Sequence, residues 1–231
     1  MKKNNLAKSK HSKWGRNISN QRKSMSFPSY PNEAMLKIIF GGRKYFNFKK
    51  ITKKSKVLDI GCGMGNNLIP FNDIGCQTYG VDVHLSAINA IKNIDFNKKN
   101  KFFVGHNRKL PFEENFFDLI LSINTIHYEE NLNYVVKALK EFKRVLRPGG
   151  SFFLSTVANK HIIRTRADKI GSNVYKIKKF GIRNNTKMFF FNNRKHIKLI
   201  FERNFNKVRI GRITEDYENR ILDFFVVTGI K

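Results

Sequence analysis

Val57-Leu58-Asp59-Ile60-Gly61-Cys62-Gly63-Met64-Gly65-Asn66 is the stretch that decides the fold. Its first part is a short run of branched apolar residues, the signature of a buried strand, and the glycines stop it abruptly. Glycine has no Cβ, so such a turn reaches positive φ and lets a ligand approach the backbone closely. A helix is expected from about Asn67, with Asn66 as its N-cap. Pro70 then falls among the first four N–H groups, which have no partner inside a helix.

Outward from this stretch the pattern repeats. Residues 78–81 read as a second strand, and Ser86 as the cap of a helix carrying Ile88, Ile91 and Ile94. Residues 102–104 make a third strand. After the turn Lys109-Leu110-Pro111-Phe112, residues 117–123 make a fourth. The next helix aligns Leu132, Val135, Val136, Leu139, Phe142 and Leu146 on one stripe. Arg147-Pro148-Gly149-Gly150 ends it, and residues 151–156 form a fifth strand. Upstream, residues 32–40 suit a short helix after Pro31, stopped by Gly41-Gly42. Residues 192–204 read as a final helix, and 207–213 with 221–228 as a hairpin. Strands alternating with amphipathic helices predict an α/β protein with a doubly wound parallel sheet.

Composition sets the outer bounds. With 231 residues the chain suits one elaborated domain, and 41% hydrophobic residues suffice for a full core. It carries 45 Lys+Arg against 17 Asp+Glu, a formal charge of +28. Such charge invites a phosphate-bearing partner. The accompanying wealth of Asn, Ile and 22 Phe offers a plainer source, because these residues share A/T-rich codons with lysine. Cys62 and Cys76 have no Cys or His at metal-ligand spacing, so no metal site is expected. Residues 1–20 lack the apolar core of a secretory signal, and no apolar run approaches the roughly 18 residues of a membrane span. A cytoplasmic protein without membrane insertion is the expectation.

The chemistry concentrates at the strand ends, where open α/β sheets bind their ligands. Asp82 closes the second strand, 21 residues beyond Gly61, where an acid can accept hydrogen bonds from ribose hydroxyls. A tight strand-helix connection and a solvated acid are the plainer readings of these two features. A hydride-transferring dehydrogenase would want Gly or Ala at position 66, which is Asn, and no second domain remains for its acceptor.

Residues 57–65, Tyr79-Gly80-Val81-Asp82, Leu110-Pro111-Phe112, residues 117–122 and Leu146-Arg147-Pro148-Gly149-Gly150 together resemble the class I S-adenosylmethionine (SAM)-dependent methyltransferases, in order and spacing, over about residues 55–156. The resemblance implies a Rossmann-like seven-stranded sheet with an antiparallel C-terminal strand, and SAM as cofactor. It implies a cofactor-binding set of Asp59, Gly61, Cys62, Gly63, Gly65, Asp82, Val83, His106, Asn107 and Asn124, with Asp59 and the glycine turn at the methionine end and Asp82 on the ribose. The family often has Gly-Asp-Ala after its third strand, the acid meeting the adenine amino group. Here the residues are Gly105-His106-Asn107-Arg108, and the Asn107 amide is the candidate substitute. His127, in Asn124-Thr125-Ile126-His127-Tyr128, is the candidate catalytic base, with mere packing beside the cofactor as the alternative.

The acceptor is less legible. Residues 158–212 hold 16 Lys+Arg against Asp168 and Glu202, starting where the family inserts substrate-recognition elements, here expected over 158–192. A phosphate-bearing acceptor or a solvated lysine face would both account for them. Base-amino methylases often have an Asn/Asp-Pro-Pro-aromatic turn after the fourth strand; this chain has Ser122-Ile123-Asn124-Thr125. Residues 1–30 read as a basic arm, on which Trp14 forms an aromatic lid or an anchor. Tyr30-Pro31-Asn32-Glu33 also resembles methyltransferases of bacterial surface-sugar pathways. The expectation is methyl transfer to an oxygen of a small polar acceptor, neutral or anionic, such as a sugar or phosphorylated metabolite. An RNA methyltransferase and a non-catalytic SAM-fold binding protein are the alternatives.

Overall fold

The computed structural model of the chain describes residues 30–41, 48, 50–92 and 99–231. Five strands come first: β1 (Lys56–Ile60), β2 (Gln77–Asp82), β3 (Lys101–Val104), β4 (Phe117–Ile123) and β5 (Leu146–Val157). Three short ones follow, β6 (Ala167–Gly171), β7 (Val174–Ile177) and β8 (Lys187–Phe189), and the chain closes with β9 (Asn206–Tyr217) and β10 (Arg220–Ile230). Seven of them form the central sheet, in the order β3-β2-β1-β4-β5-β10-β9. β1 to β5 run parallel, while β10 is antiparallel to both β5 and β9. The doubly wound α/β sheet with its antiparallel C-terminal strand is therefore present as expected.

Alternation along the strands gives the sheet two buried faces, because successive side chains point to opposite sides. Val57, Leu119, Leu121 and Phe153 pack on one side with helices α1 (Glu33–Ile39), α2 (Ile69–Ile74) and α3 (Leu85–Ile91). Leu58, Ile60, Ile120, Phe152 and Leu154 pack on the other with α4 (Leu132–Val145) and, beyond the short α5 (Ile162–Thr165), with α6 (Arg194–Phe201). Burying each such side chain contributes roughly 1.5–3 kcal/mol, so the three-layer arrangement follows from the binary pattern.

Helix starts depart from the expectation. Gly65, at φ +80°, opens a 3₁₀ turn over Asn66–Leu68, and the α-helix begins only at Ile69, with Pro70 in its first turn. Asn66 is thus inside the 3₁₀ turn and does not cap an α-helix. Ser86 does not cap α3 either; His84 holds that position, without a side-chain cap bond. Ile94 lies outside the described residues, as do Trp14 and the arm before Tyr30. Where an asparagine does cap, the bond is made: Asn32, Asn131 and Asn193 accept from Met35, Tyr134 and His196 N–H groups.

Between β5 and α6 lies a small sheet that the sequence pattern does not announce. α5 leads into β6, β7 and β8, which pair antiparallel in that order. The core beneath them joins Val157, Ile163, Ile177, Met188 and Phe190, with Tyr128 packed against it.

Candidate functional site

Strand order reverses at β1, whose neighbours β2 and β4 lead away in opposite directions. The carboxyl ends of β1 and β4 therefore flank the crevice in which such sheets bind ligands. The turn after β1 is fixed by Gly61 and Cys62 N–H groups donating to the Val81 carbonyl, at 2.7 and 3.0 Å. Gly61 has φ +72°, and a Cβ there would meet Thr125, with Cγ2 only 2.7 Å away. Thr125 Oγ1 lies within donating reach of the carbonyls of both Ile60 and Ile123, at 3.1 and 3.0 Å, so its one proton is shared between the ends of β1 and β4. Gly63 differs: at φ +50°, a Cβ would find nothing within 4 Å. One glycine serves packing and the other borders open space.

Two carboxylates flank this turn. Asp82 is 5% exposed; Gly63 N–H donates to its Oδ2 at 3.3 Å and His84 N–H to its Oδ1 at 3.1 Å. Each carboxylate oxygen has two lone-pair sites, so both can accept again. Asp59 is fully buried. Its Oδ2 takes a 3.3 Å bond from Asn67 Nδ2, while Oδ1 has no hydrogen-bond partner among the described residues. Burial pushes its carboxyl up to about 7; the Asn67 bond opposes this and the Asp82 charge reinforces it. The Asn67 amide oxygen also accepts from Asn32 N–H at 3.0 Å, which ties the start of α1 to the site. Cys62 is buried beside both acids, and burial keeps its thiol well above the ordinary range, hence neutral.

The remaining expected residues lie at the neighbouring strand ends. Val83 follows Asp82 and is half-buried. Gly105 N–H donates to the Asp82 carbonyl, so the turn with His106 and Asn107 leaves β3 beside Asp82. Asn124 adopts φ +54°, a left-handed conformation that asparagine tolerates, and its Oδ1 accepts from Ser155 Oγ at 2.9 Å. Thus Asp59, Gly61, Cys62, Gly63, Gly65, Asp82, Val83, His106, Asn107 and Asn124 all lie in the turns closing β1 to β4 or at those strand ends.

His127 occupies a wall. It is 3% exposed, with Nδ1 3.4 Å from Thr156 Oγ1 and its ring packed against Tyr128, centroids 4.8 Å apart. Burial, aided by the positive charge of Arg183 and by His161, lowers its pKa to about 3. The imidazole is a weak base there, which bears on the choice between a proton-taking role and packing. Arg183, which as a lone arginine in a basic insertion carries no pattern in the sequence, donates from Nε to the Tyr128 hydroxyl at 2.9 Å. Glu129 is equally silent in the sequence: it is 2% exposed, and Arg108 Nε lies 3.2 Å from its Oε2. No helix of the described residues is long and apolar enough to cross a membrane.

Residues 58–154 match the model of a methyltransferase domain family. The sterol 4-C-methyltransferase strm-1 of Caenorhabditis elegans is 30% identical over 109 residues, which is 46% of this chain and 32% of that protein. The probable tRNA methyltransferase 9B of Mus musculus is 34% identical over 103 residues, or 43% of this chain and 21% of that one. The match thus spans a third or less of either relative's length. A SAM-dependent methyltransferase from Methanosarcina mazei aligns at a TM-score of 0.63 and 18% identity, covering 80% of this chain and 95% of its own, a likeness of fold. The strand order and the turn after β1 agree with these likenesses: residues 58–154 are similar to a methyltransferase domain, and the sheet is that of a SAM-dependent methyltransferase in fold.

Proposed function

We propose that this chain transfers a methyl group from SAM to an oxygen of a small polar acceptor, a sugar or a phosphorylated metabolite. The fit of the donor rests on three features: the partnerless buried Oδ1 of Asp59, the open space at Gly63, and the accepting oxygens of Asp82. Asp59 would face the cationic amino group of the methionine end, and Asp82 the ribose hydroxyls. When bound, SAM supplies a methyl carbon already activated by its sulfonium. The protein's part is to orient the acceptor and exclude water, for which pre-orientation can supply roughly 7–11 kcal/mol of barrier reduction. His127 helps shape the acceptor side as a neutral packing residue.

The observation that carries the acceptor class is the Arg183 guanidinium, bonded to Tyr128 where the inserted sheet meets the turn after β4. A cation there suits an acceptor with an anionic or strongly polar group. Residues 158–192 then serve substrate recognition. The two free cysteines suit a reducing, cytoplasmic setting.

Calorimetry with SAM and S-adenosylhomocysteine tests the donor. Binding at micromolar Kd, about −8 kcal/mol, is expected, with Asp82→Ala at least tenfold weaker. Equal affinity in both proteins overturns the ribose role. Labelled donor incubated with a cell extract, followed by mass spectrometry, then identifies the acceptor. The formal charge of +28 and the tRNA methyltransferase relative favour RNA as a second reading. That reading expects steeply salt-dependent RNA affinity and methylated RNA in the same extract.

A further inference from the structure

Asn67 sits half-buried in the 3₁₀ turn that follows the glycines, with a bond on either side of its amide. The Asn32 N–H donates to its Oδ1 at 3.0 Å, and its Nδ2 donates to Asp59 Oδ2 at 3.3 Å. Both neighbours are themselves fixed. Asn32 opens α1: its side chain accepts from the Met35 N–H at 2.9 Å, and its carbonyl accepts from the Leu36 N–H at 3.1 Å. Three residues on, Met35 is fully buried in the same core as Cys62 and Leu68 of the glycine turn. Asp59, on the other side, is fully buried in β1.

The direction of the Asn67 amide follows from these bonds. A backbone N–H only donates, so the atom that faces Asn32 is the amide oxygen, and the NH₂ is left for Asp59. A carboxyl group accepts that bond whether it is protonated or ionised, so the orientation is independent of the charge on Asp59. The terminal torsion of an aspartate is broad, and a carboxyl with no holder turns easily between its two oxygens. Here Oδ2 is held from the side of α1, and Oδ1 is the oxygen with no hydrogen-bond partner among the described residues. A buried acceptor left unpaired costs stability, which a hydrogen-bond donor brought by a ligand offsets.

We propose that Asn67 is a positioning residue that makes the start of α1 part of the donor site: set by the Asn32 N–H, it holds Asp59 Oδ2 and leaves Oδ1 as the atom that meets the ammonium group of the donor. This step rests on the donor site proposed above. The role asks for no contact between Asn67 and the donor. Its effect is confined to the amino-acid end of the ligand.

Calorimetry on the full chain compares S-adenosylhomocysteine with 5′-methylthioadenosine, which has the same nucleoside and sulfur but no amino-acid end. Asn67→Ala should weaken S-adenosylhomocysteine about tenfold, the worth of one hydrogen bond to a charged group, and 5′-methylthioadenosine less than about twofold. An Asn67 that merely supports the fold would weaken both ligands alike; that result, or full S-adenosylhomocysteine affinity in Asn67→Ala, overturns the role. A second pair of variants reads the part played by α1, and decides the matter if Asn67→Ala fails to fold. Asn32 has φ −63°, the value to which a proline ring is fixed, so Asn32→Pro removes the N–H without straining that torsion. Asn32→Ala keeps the N–H, and both variants lose the side-chain bond to Met35. Asn32→Pro should bind S-adenosylhomocysteine at least about threefold more weakly than Asn32→Ala does, with 5′-methylthioadenosine equal in the two. Equal S-adenosylhomocysteine affinity in the pair overturns the proposal. No binding of S-adenosylhomocysteine by the unsubstituted protein would overturn the donor site and this role together, whereas binding that Asn67→Ala leaves intact overturns the role alone.

Discussion

Arg212 and Asp223 face each other across the C-terminal hairpin in a two-point ion pair, with Nε to Oδ1 and Nη2 to Oδ2 both at 2.7 Å. Asp223 is fully buried and also accepts from Lys160 N–H at 2.7 Å and Thr214 Oγ1 at 3.1 Å. The pair thereby fixes the hairpin to the first residues of the insertion. Arg212→Met leaves a buried carboxylate short of its counter-charge, and should lower stability by about 3–5 kcal/mol in urea unfolding.

The same carboxylate predicts an acid limit. Burial alone would raise the Asp223 pKa, but the Arg212, Lys160 and Thr214 bonds prevail and hold it below the usual value. A lowered acid stabilises the fold above its unfolded pKa of about 4, and that contribution is lost as pH falls through the folded value. Melting temperature should therefore drop more steeply below pH 4 in the unsubstituted protein than in Asp223→Asn, as followed by circular dichroism.

Asp59 works in the opposite direction. Its folded pKa of about 7 lies above the unfolded one, so its stabilising contribution is complete below about pH 4 and disappears as pH rises through 7. Without donor, the melting temperature should fall between about pH 4 and 7, and Asp59→Asn should flatten that slope. Donor binding favours the ionised form, so Kd should weaken by up to about tenfold per unit below pH 7. The Asn variant separates this dependence from that of Glu129, whose carboxyl burial also raises to about 7.

Two glycines two residues apart should fail in different ways. Gly61→Ala combines left-handed strain with a collision against Thr125, and should cost about 2–4 kcal/mol of stability. Gly63→Ala has the strain without the collision, about 1–2 kcal/mol. Its methyl would occupy the donor's space, so calorimetry should show the larger loss of SAM affinity, tenfold or more, in the variant that melts higher.

His127→Asn should retain turnover within about tenfold. A general base would be worth about 10²–10⁴-fold, and an imidazole titrating near 3 cannot supply that at neutral pH. A thousandfold loss with unchanged melting temperature would decide for the proton-taking role over packing.

Much of the fold is readable where local rules and the tertiary structure agree. The apolar run of residues 117–123 is too short for a helix, and β4 spans those residues. Helix starts mislead wherever polar residues abound: Asn66 and Ser86 both fit a capping preference, yet the geometry of the glycine turn and the bond from His84 N–H to Asp82 decide otherwise. The small sheet over β6 to β8 leaves no trace in the pattern because its strands are three to five residues long, too short for a period to register. The pairing of Glu129 with Arg108 joins residues distant in sequence, so spacing gives no sign of it. The pKa of His127 depends on burial and on Arg183, neither of which a neighbouring residue announces.

The Thr125 hydroxyl, whose proton is shared between the ends of β1 and β4, has a further meaning for how the crevice is used. A floor stitched by one side chain is rigid before anything arrives, so association should lose little entropy in ordering it. Variation in ligand choice is then left to the rim, where the inserted sheet and the turn after β3 can change without disturbing the seam beneath them.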